Sequence, residues 1–293
     1  MNVKRAKVLG YCVGVKRAVE AAEQALQSHE CESETPAEKK IYTLGPLIHN
    51  PVVLEKLGNQ GLKILNAQHL DDVTPSSIVI IRAHGTTPHV MQELSSKGAE
   101  VIDATCPRVH LSQKRAREWS GKGYAIVIAG DRNHGEVTSI SAFSSMPVTV
   151  IENAQEAECI DLPNQAVLIA QTTFSPIEFE KISGILRKKN PDIEVFNSIC
   201  SATMERQEAL AEFAGQVDGI LVIGGRNSAN TRRLYESAKR ICEQAALIEN
   251  AEEIPEAFFS LKNVGITAGA STPDDTIDEV EQRLQTASNL HQR

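Results

Sequence analysis

The chain has 293 residues, 23% of them charged and only 4% aromatic, so its cores must be built from aliphatic side chains in two or three compact units. A formal net charge of −8 with no basic block argues against nucleic-acid binding by phosphate neutralisation. No apolar run approaches the roughly 20 residues of a membrane helix, and the start of the chain carries Lys4, Arg5, Lys7, Lys16 and Arg17 without a signal-like apolar core, so a cytoplasmic, reducing compartment is expected.

The elements follow in order. The apolar run Lys7-Val-Leu-Gly-Tyr leads into Cys12, and Val15, Ala18, Val19, Ala22 and Leu26 then fall at helical spacing. The Ser/Glu/Lys-rich stretch 28–40 reads as a surface loop. A strand over Ile41–Leu44, a glycine turn and a helix opening at Asn50-Pro51 come next. The strand Ile78–Ile81, a helix from Pro88 and a strand over 101–103 run into Cys106. The pattern recurs with strands at Ala125–Ala129, Ala166–Ala170 and 194–197, then at 220–223 and 264–267, where one strand is missing. Residues 3–9 are expected to supply it. Apolar runs alternating with amphipathic helices imply an α/β chain with parallel sheets covered on both faces.

A fixed period underlies this alternation. Cys12, Cys106 and Cys200 are spaced 94 residues apart (106−12 and 200−106). Two of them close similar phrases, Glu100-Val-Ile-Asp-Ala-Thr-Cys106 and Glu194-Val-Phe-Asn-Ser-Ile-Cys200. A second triplet is Gly45-x3-His49, Gly130-x3-His134 and Gly224-x3-Ser228. A third begins at Ala83-His84-Gly85, Ala170-Gln171-Thr172-Thr173 and Ala268-Gly269-Ala270-Ser271, and each ends in Ser/Thr-Pro, the pair that opens a helix. Three repeats follow: 13–105, 106–199, and 200–293 completed by a strand from 1–12.

Ligands bind at the carboxyl ends of strands in parallel sheets, and the repeat puts the chemistry-bearing residues there. Three thiolates suit zinc or an iron–sulfur cluster; buried strand-end packing is the alternative. Six cysteines also allow disulfides, which a reducing compartment disfavours. Cys31, Cys159 and Cys242 break the repeat and read as a loop residue and two semi-buried ones. Histidines His49, His84 and His134 sit inside repeat motifs; His29, His69, His89, His110 and His291 do not and read as surface residues. Helices opening after His49, His84, Ser228 and Ser271 could share one polyanion, with Ser228, Asn230 and Ser271 as neutral donors. Arg82 and Arg226 stand nearby and read equally well as structural. Glu136 beside a cluster and an anion would favour its protonated form and act as a proton donor; the alternative is an exposed carboxylate at a helix start. Thr172 and Thr173 either relay that proton or cap a strand.

These motifs together resemble the 4-hydroxy-3-methylbut-2-enyl diphosphate reductase family. The resemblance rests on Gly10-Tyr-Cys12-Val-Gly-Val15, His49-Asn50, Ala83-His84-Gly85, Asp103-Ala-Thr-Cys106-Pro107, His134-Gly-Glu136-Val137, Gln171-Thr-Thr173, Cys200, Asn227-Ser-Ala-Asn230 and Thr267-Ala-Gly-Ala-Ser271. It implies three similar α/β domains with mostly parallel sheets in a pseudo-threefold trefoil around a 4Fe–4S cluster. Cys12, Cys106 and Cys200 would be its ligands, leaving a fourth iron open to substrate. His49, His84, His134, Thr172, Thr173, Ser228, Ala229, Asn230 and Ser271 would bind an allylic diphosphate. Catalysis would fall to Glu136 with Thr172, Thr173 and His134. The implied reaction is reductive dehydroxylation to isopentenyl and dimethylallyl diphosphate, with electrons from ferredoxin or a flavodoxin-type donor and a monomeric protein. Two departures stand out: Gly135 where some members have Pro, and Ala229 where some have a second Ser. Rivals are a quinolinate synthase-like enzyme, a non-enzymatic iron–sulfur sensor and a zinc hydrolase.

Overall fold

In the computed structural model, residues 1–31 and 40–290 are described. The chain opens with β1 (Asn2–Arg5) and α1 (Val13–Cys31). The helix runs on to Cys31, so residues 28–31 of the loop expected over 28–40 are helical; 32–39 lie outside the described residues. The first repeat follows as β2 (Ile41–Leu44), α2 (Pro51–Asn59), β3 (Lys63–Leu65), β4 (Ile78–Ile81), α3 (Pro88–Ser96) and β5 (Glu100–Asp103). The second comprises α4 (Pro107–Gly121), β6 (Ala125–Ala129), α5 (Gly135–Ser141), β7 (Val148–Ile151), α6 (Ala154–Cys159), β8 (Ala166–Ala170), α7 (Pro176–Lys189) and β9 (Glu194–Phe196). The third comprises α8 (Ser201–Ala211), β10 (Gly219–Ile223), α9 (Ala229–Ile241), β11 (Ala245–Ile248), β12 (Asn263–Ala268) and α10 (Asp274–Leu290).

Among the described residues these strands form three four-stranded sheets, ordered β3-β2-β4-β5, β7-β6-β8-β9 and β11-β10-β12-β1, with every pairing parallel. The order is the same in each, so β1 takes in the third sheet the place of β5 and β9 in the others. β1 pairs with β12, with Asn2 opposite Asn263 and Arg5 opposite Ile266. The strand ends at Arg5, before residue 9, and the chain turns further on at Gly10, whose φ of +79° suits glycine. Edge strands β3, β7 and β11 were not expected. Central strands such as β4, β8 and β10 are buried along their whole length, as parallel strands covered by helices must be.

The helices start where expected. Thr87 caps α3 and Ser175 caps α7, each followed by proline in the first turn. The third Thr-Pro differs: the Thr272 hydroxyl donates to the carbonyl of Ile223 at 2.9 Å instead of capping α10.

The chain forms two compact units. The first comprises Met1–Lys16, Ile48–Lys56 and the chain from Ser201 onward, and holds the β1 sheet; its core packs Leu221, Ile223, Ile266, Ile277, Val280 and Leu284. The second comprises Arg17–Leu47 and Leu57–Cys200 and holds the other two sheets. Its cores centre on Val79, Ile81 and Leu94 in one sheet and Ile126, Ile128 and Ile169 in the other. Each fully buried aliphatic side chain contributes about 1.5–3 kcal/mol. No helix among the described residues is long and apolar enough to cross a membrane.

Candidate functional site

The three repeat cysteines occupy the same place in their sheets. Each donates its backbone N–H to the residue two positions beyond the end of a central strand: Cys12 to Ala270 O at 3.1 Å, Cys106 to Ala83 O at 3.0 Å and Cys200 to Thr172 O at 2.8 Å. Each stands immediately before a helix, α1, α4 or α8. All three are half-buried and none is in a disulfide. Asp103 and Asn197, 94 residues apart, make the same local turn, accepting from Thr105 N at 2.9 Å and Ile199 N at 3.2 Å. At Cys12 the approach is set differently. Arg206, only 2% exposed, donates to the carbonyl of Gly10 at 2.6 Å and fixes that turn from α8. Half-buried thiols held at equivalent strand exits are a donor set that fits an iron–sulfur group. Cys242 is half-buried as expected, whereas Cys159, the last residue of α6, is exposed.

In the second unit, Glu136, His84, His134, Thr172 and Thr173 assemble. Glu136 is 1% exposed, which overturns the surface-carboxylate alternative. Its carboxylate accepts from Thr172 N at 2.6 Å and from the Thr172 hydroxyl at 2.7 Å, short bonds of the charge-assisted kind. Thr173 points elsewhere and accepts from Gln171 Nε2 at 2.9 Å. His134 caps α5, its Nδ1 accepting from Glu136 N at 3.2 Å. That bond assigns the ring proton to Nε2. The His84 and His134 rings meet edge to face, with centroids 4.9 Å apart. Beside His84, Gly85 is required by its own surroundings: its φ is +76°, and a Cβ there would lie 2.5 Å from Gln113 Nε2 and 2.7 Å from Ser139 Oγ.

In the first unit, the expected anion ligands cluster around α9 and the start of α2. Ser228 caps α9 by accepting from Thr231 N at 3.3 Å. Ala229 and Asn230 follow in the first turn, both buried, and the Asn230 side-chain nitrogen has no hydrogen-bond partner among the described residues. A buried amide donor without an acceptor is costly unless a ligand completes it. Ser271 is buried and donates to the carbonyl of His49 at 3.3 Å. Asn50 accepts from Val53 N at 3.2 Å and so starts α2 just after His49. Gly225 is needed here, because a Cβ on it would fall on the His49 carbonyl oxygen.

The arginines resolve into two kinds. Arg226 donates to Glu249 Oε2 at 2.8 Å and to Glu253 Oε2 at 2.6 Å, so it is structural. That hydrogen bond from Arg226 is the main reason the Glu253 carboxyl lies below the usual carboxylate range. Arg132 makes the matching clamp with Glu152 at 2.9 Å and Glu156 at 2.8 Å. Arg82 has no such partner among the described residues, and burial pushes its guanidinium down from the ordinary value. It lies against two glycines: a Cβ on Gly45 would come within 3.1 Å of Nη1, and one on Gly135 would fall on Nη2. The glycine between His134 and Glu136 is thus what leaves room for Arg82.

Sequence reasoning missed Gln171, Gln113, Ser139 and Arg206. Gln171 is fully buried and its amide accepts from Asp131 N at 2.8 Å while donating to Thr173. Gln171 was at hand in a quoted motif; Gln113, Ser139 and Arg206 sit mid-helix with no motif to mark them. His69, His89 and His110 are exposed, as expected.

The family model described as LytB protein matches residues 3–285 of this chain. A 4-hydroxy-3-methylbut-2-enyl diphosphate reductase from Treponema denticola is 46% identical over 292 residues, covering 97% of this chain and 99% of its own. A solved structure described as (E)-4-hydroxy-3-methyl-but-2-enyl diphosphate reductase, the terminal enzyme of the non-mevalonate pathway, is 36% identical with a TM-score of 0.71, covering 98% of this chain and 100% of that one. The corresponding reductase structure from Plasmodium falciparum has a TM-score of 0.85 at 28% identity, covering 99% and 87%.

Proposed function

The chain belongs to the LytB protein family, whose relatives here are 4-hydroxy-3-methylbut-2-enyl diphosphate reductases, and we propose that it removes the hydroxyl of that substrate as the last step of the non-mevalonate isoprenoid route. The alcohol takes up two electrons and two protons, releases water, and leaves isopentenyl and dimethylallyl diphosphate. Cys12, Cys106 and Cys200 would hold a 4Fe–4S cluster through three irons, with the fourth open to substrate. When bound, that group supplies electrons and a Lewis-acidic iron for a poor leaving group. The electrons would come from ferredoxin or a flavodoxin-type carrier. On the same reading the chain works as a cytoplasmic monomer divided into three repeats, 13–105, 106–199 and 200–293 completed by 1–12.

The observation that carries the reading is the buried Glu136–Thr172 pair at 2.7 Å. With Glu136 ionised, Thr172 donates to it. Once Glu136 takes a proton the bond reverses, the carboxyl donates to Thr172 Oγ1, and the threonine hydroxyl is released to donate onward. Such a relay delivers protons to a departing hydroxyl without admitting bulk water. His134, with its proton on Nε2, can donate toward the same substrate, as can the adjacent His84. The Asn230 amide, lacking an acceptor, suits a phosphate oxygen. Ser228, Ser271, His49 and the N–H groups at the start of α9, that of Ala229 among them, would add donors at a positive helix end. Binding the diphosphate far from the reacting carbon fixes its orientation.

Glu136→Gln tests the relay. We expect the anaerobically purified variant to keep its iron and sulfide while turnover falls by about 100-fold or more. Reduction at the parental rate would remove the proton role, and loss of iron would make Glu136 a structural residue instead.

A further inference from the structure

The three repeats differ at one place that the reductase chemistry does not use. In the second repeat, Arg132 stands two residues after Gly130 and clamps Glu152, which directly follows β7, and Glu156, four residues on. In the third, Arg226 stands two residues after Gly224 and clamps Glu249, which directly follows β11, and Glu253, again four residues on. Counting from Gly45 and from the end of β3, the matching residues of the first repeat are Leu47, Asn66 and Leu70. Both leucines are buried, at 0% and 2% exposure, and no ion pair among the described residues closes this strand end.

A cavity of about 410 Å³ takes its place, lined by Leu44, Pro46, Leu65, Asn66, Arg82 and Thr86 among others. It lies off the carboxyl ends of β2, β3 and β4, the side on which parallel α/β sheets bind ligands. Its volume is in the range of small-molecule sites, roughly 300–1,000 Å³. Its cation is Arg82, whose guanidinium has no hydrogen bond or ion pair with any described residue, whereas the other two repeats pair Arg132 and Arg226 with carboxylates. Burial alone acts on the Arg82 guanidinium and pushes it down, with no anion to oppose it. A half-buried guanidinium beside Asn66 and Thr86, with aliphatic walls from Leu44, Pro46 and Leu65, wants an oxyanion attached to something apolar.

We infer that this cavity is a ligand site for a small organic anion, an oxyanion head paired with Arg82 and a short hydrocarbon body against the aliphatic walls. The inference stands apart from the reductase reading, since it uses none of the residues assigned to the proton relay, the thiols or the diphosphate. The first repeat thus admits from solution the carboxylate that the other two repeats carry in their own sequence.

Isovalerate, a branched carboxylate, and inorganic phosphate, a head with no body, are suitable probes on the anaerobically purified holoenzyme. Ligand-detected NMR should show saturable isovalerate binding with a Kd on the order of 1 mM, and weaker binding of phosphate. Asn66→Glu places a carboxylate where the other two repeats have one, so it should pair with Arg82 and weaken isovalerate binding by about tenfold or more while the fold is kept. Arg82→Leu should do the same from the other side. No saturable binding to the parent protein would overturn the inference. So would isovalerate binding unchanged in Asn66→Glu, or phosphate binding as tightly as isovalerate.

Discussion

The first repeat and its two successors share one strand exit and differ at another. All three keep the cysteine exit, down to the same backbone hydrogen bond two residues past a central strand. Only the second and third keep an arginine held by two glutamates; the first has buried Leu47 and Leu70 and an unneutralised Arg82 instead. If the thiols hold the proposed cluster, its fixed inorganic geometry leaves them little room to drift. A surface clamp worth a modest amount can be exchanged for aliphatic packing or given up to a cavity.

The sharpest way to break the shared half is to replace each cysteine by serine in turn. If the three exits are equivalent, all three variants lose iron and sulfide, and turnover falls by roughly 1,000-fold or more in each, as expected when a unit acts as a whole. A variant that keeps parental iron content would take its cysteine out of the set. The divergent half is tested by stability. Leu47→Ala should cost about 2–5 kcal/mol, the range for a fully buried leucine, read as a shift in the denaturant midpoint. Gly85→Ala forces a side chain into a left-handed backbone against Gln113 and Ser139, and should cost about 1–3 kcal/mol while disturbing the His84–His134 ring contact. Arg226→Met should cost about 1 kcal/mol or less, because its partners are partly exposed.

Acid gives the smallest effect and sharpens the contrast. The Glu253 carboxyl is depressed, first through its hydrogen bond from Arg226, so its contribution is present above the unfolded carboxylate value and fades as the pH falls through the folded one. The difference in melting temperature between parent and Arg226→Met should therefore narrow from pH 7 to about pH 3.5. The Leu47→Ala difference should not, since no ionisable group of this clamp stands in the first repeat. Equal narrowing in both would mean that the acid effect comes from elsewhere.

Much of this architecture was legible because duplication writes the same signal three times. Ile41–Leu44 and Ile78–Ile81 read as strands because unbroken aliphatic runs are what covered parallel strands require, and the absence of a ninth strand from the third repeat pointed to the N-terminus. The edge strands were not legible: Lys63–Leu65 has three residues, two of them exposed, and so little periodicity to read. Glu136 and Thr172 could be named as partners from their motifs. That Thr172 and not Thr173 meets the carboxylate depends on backbone direction at the end of β8, which spacing does not encode. The clamps escaped notice although their arginines are 94 residues apart (226−132), because their glutamates are 97 apart (249−152 and 253−156) and fall out of the common period. Gln113 and Arg206 left no trace, since a polar residue inside a helix reads as solvent-facing until a neighbour buries it.

The N-terminal strand has one more consequence. Asn2 faces Asn263, 261 residues away, and Arg5 reaches Asp278 and Glu281 on the last helix. Of the described strands, the one synthesised earliest is therefore the last to find its neighbour. At roughly 5–20 residues per second of synthesis it waits on the order of 10 to 50 s. During that interval the β1 segment has no native strand to pair with, while two complete sheets can already have formed from the chain behind it. Joining the present ends through a short linker and reopening the chain just before Val13 would place that strand after α10, make the third repeat contiguous, and let each sheet close in the order in which it is made.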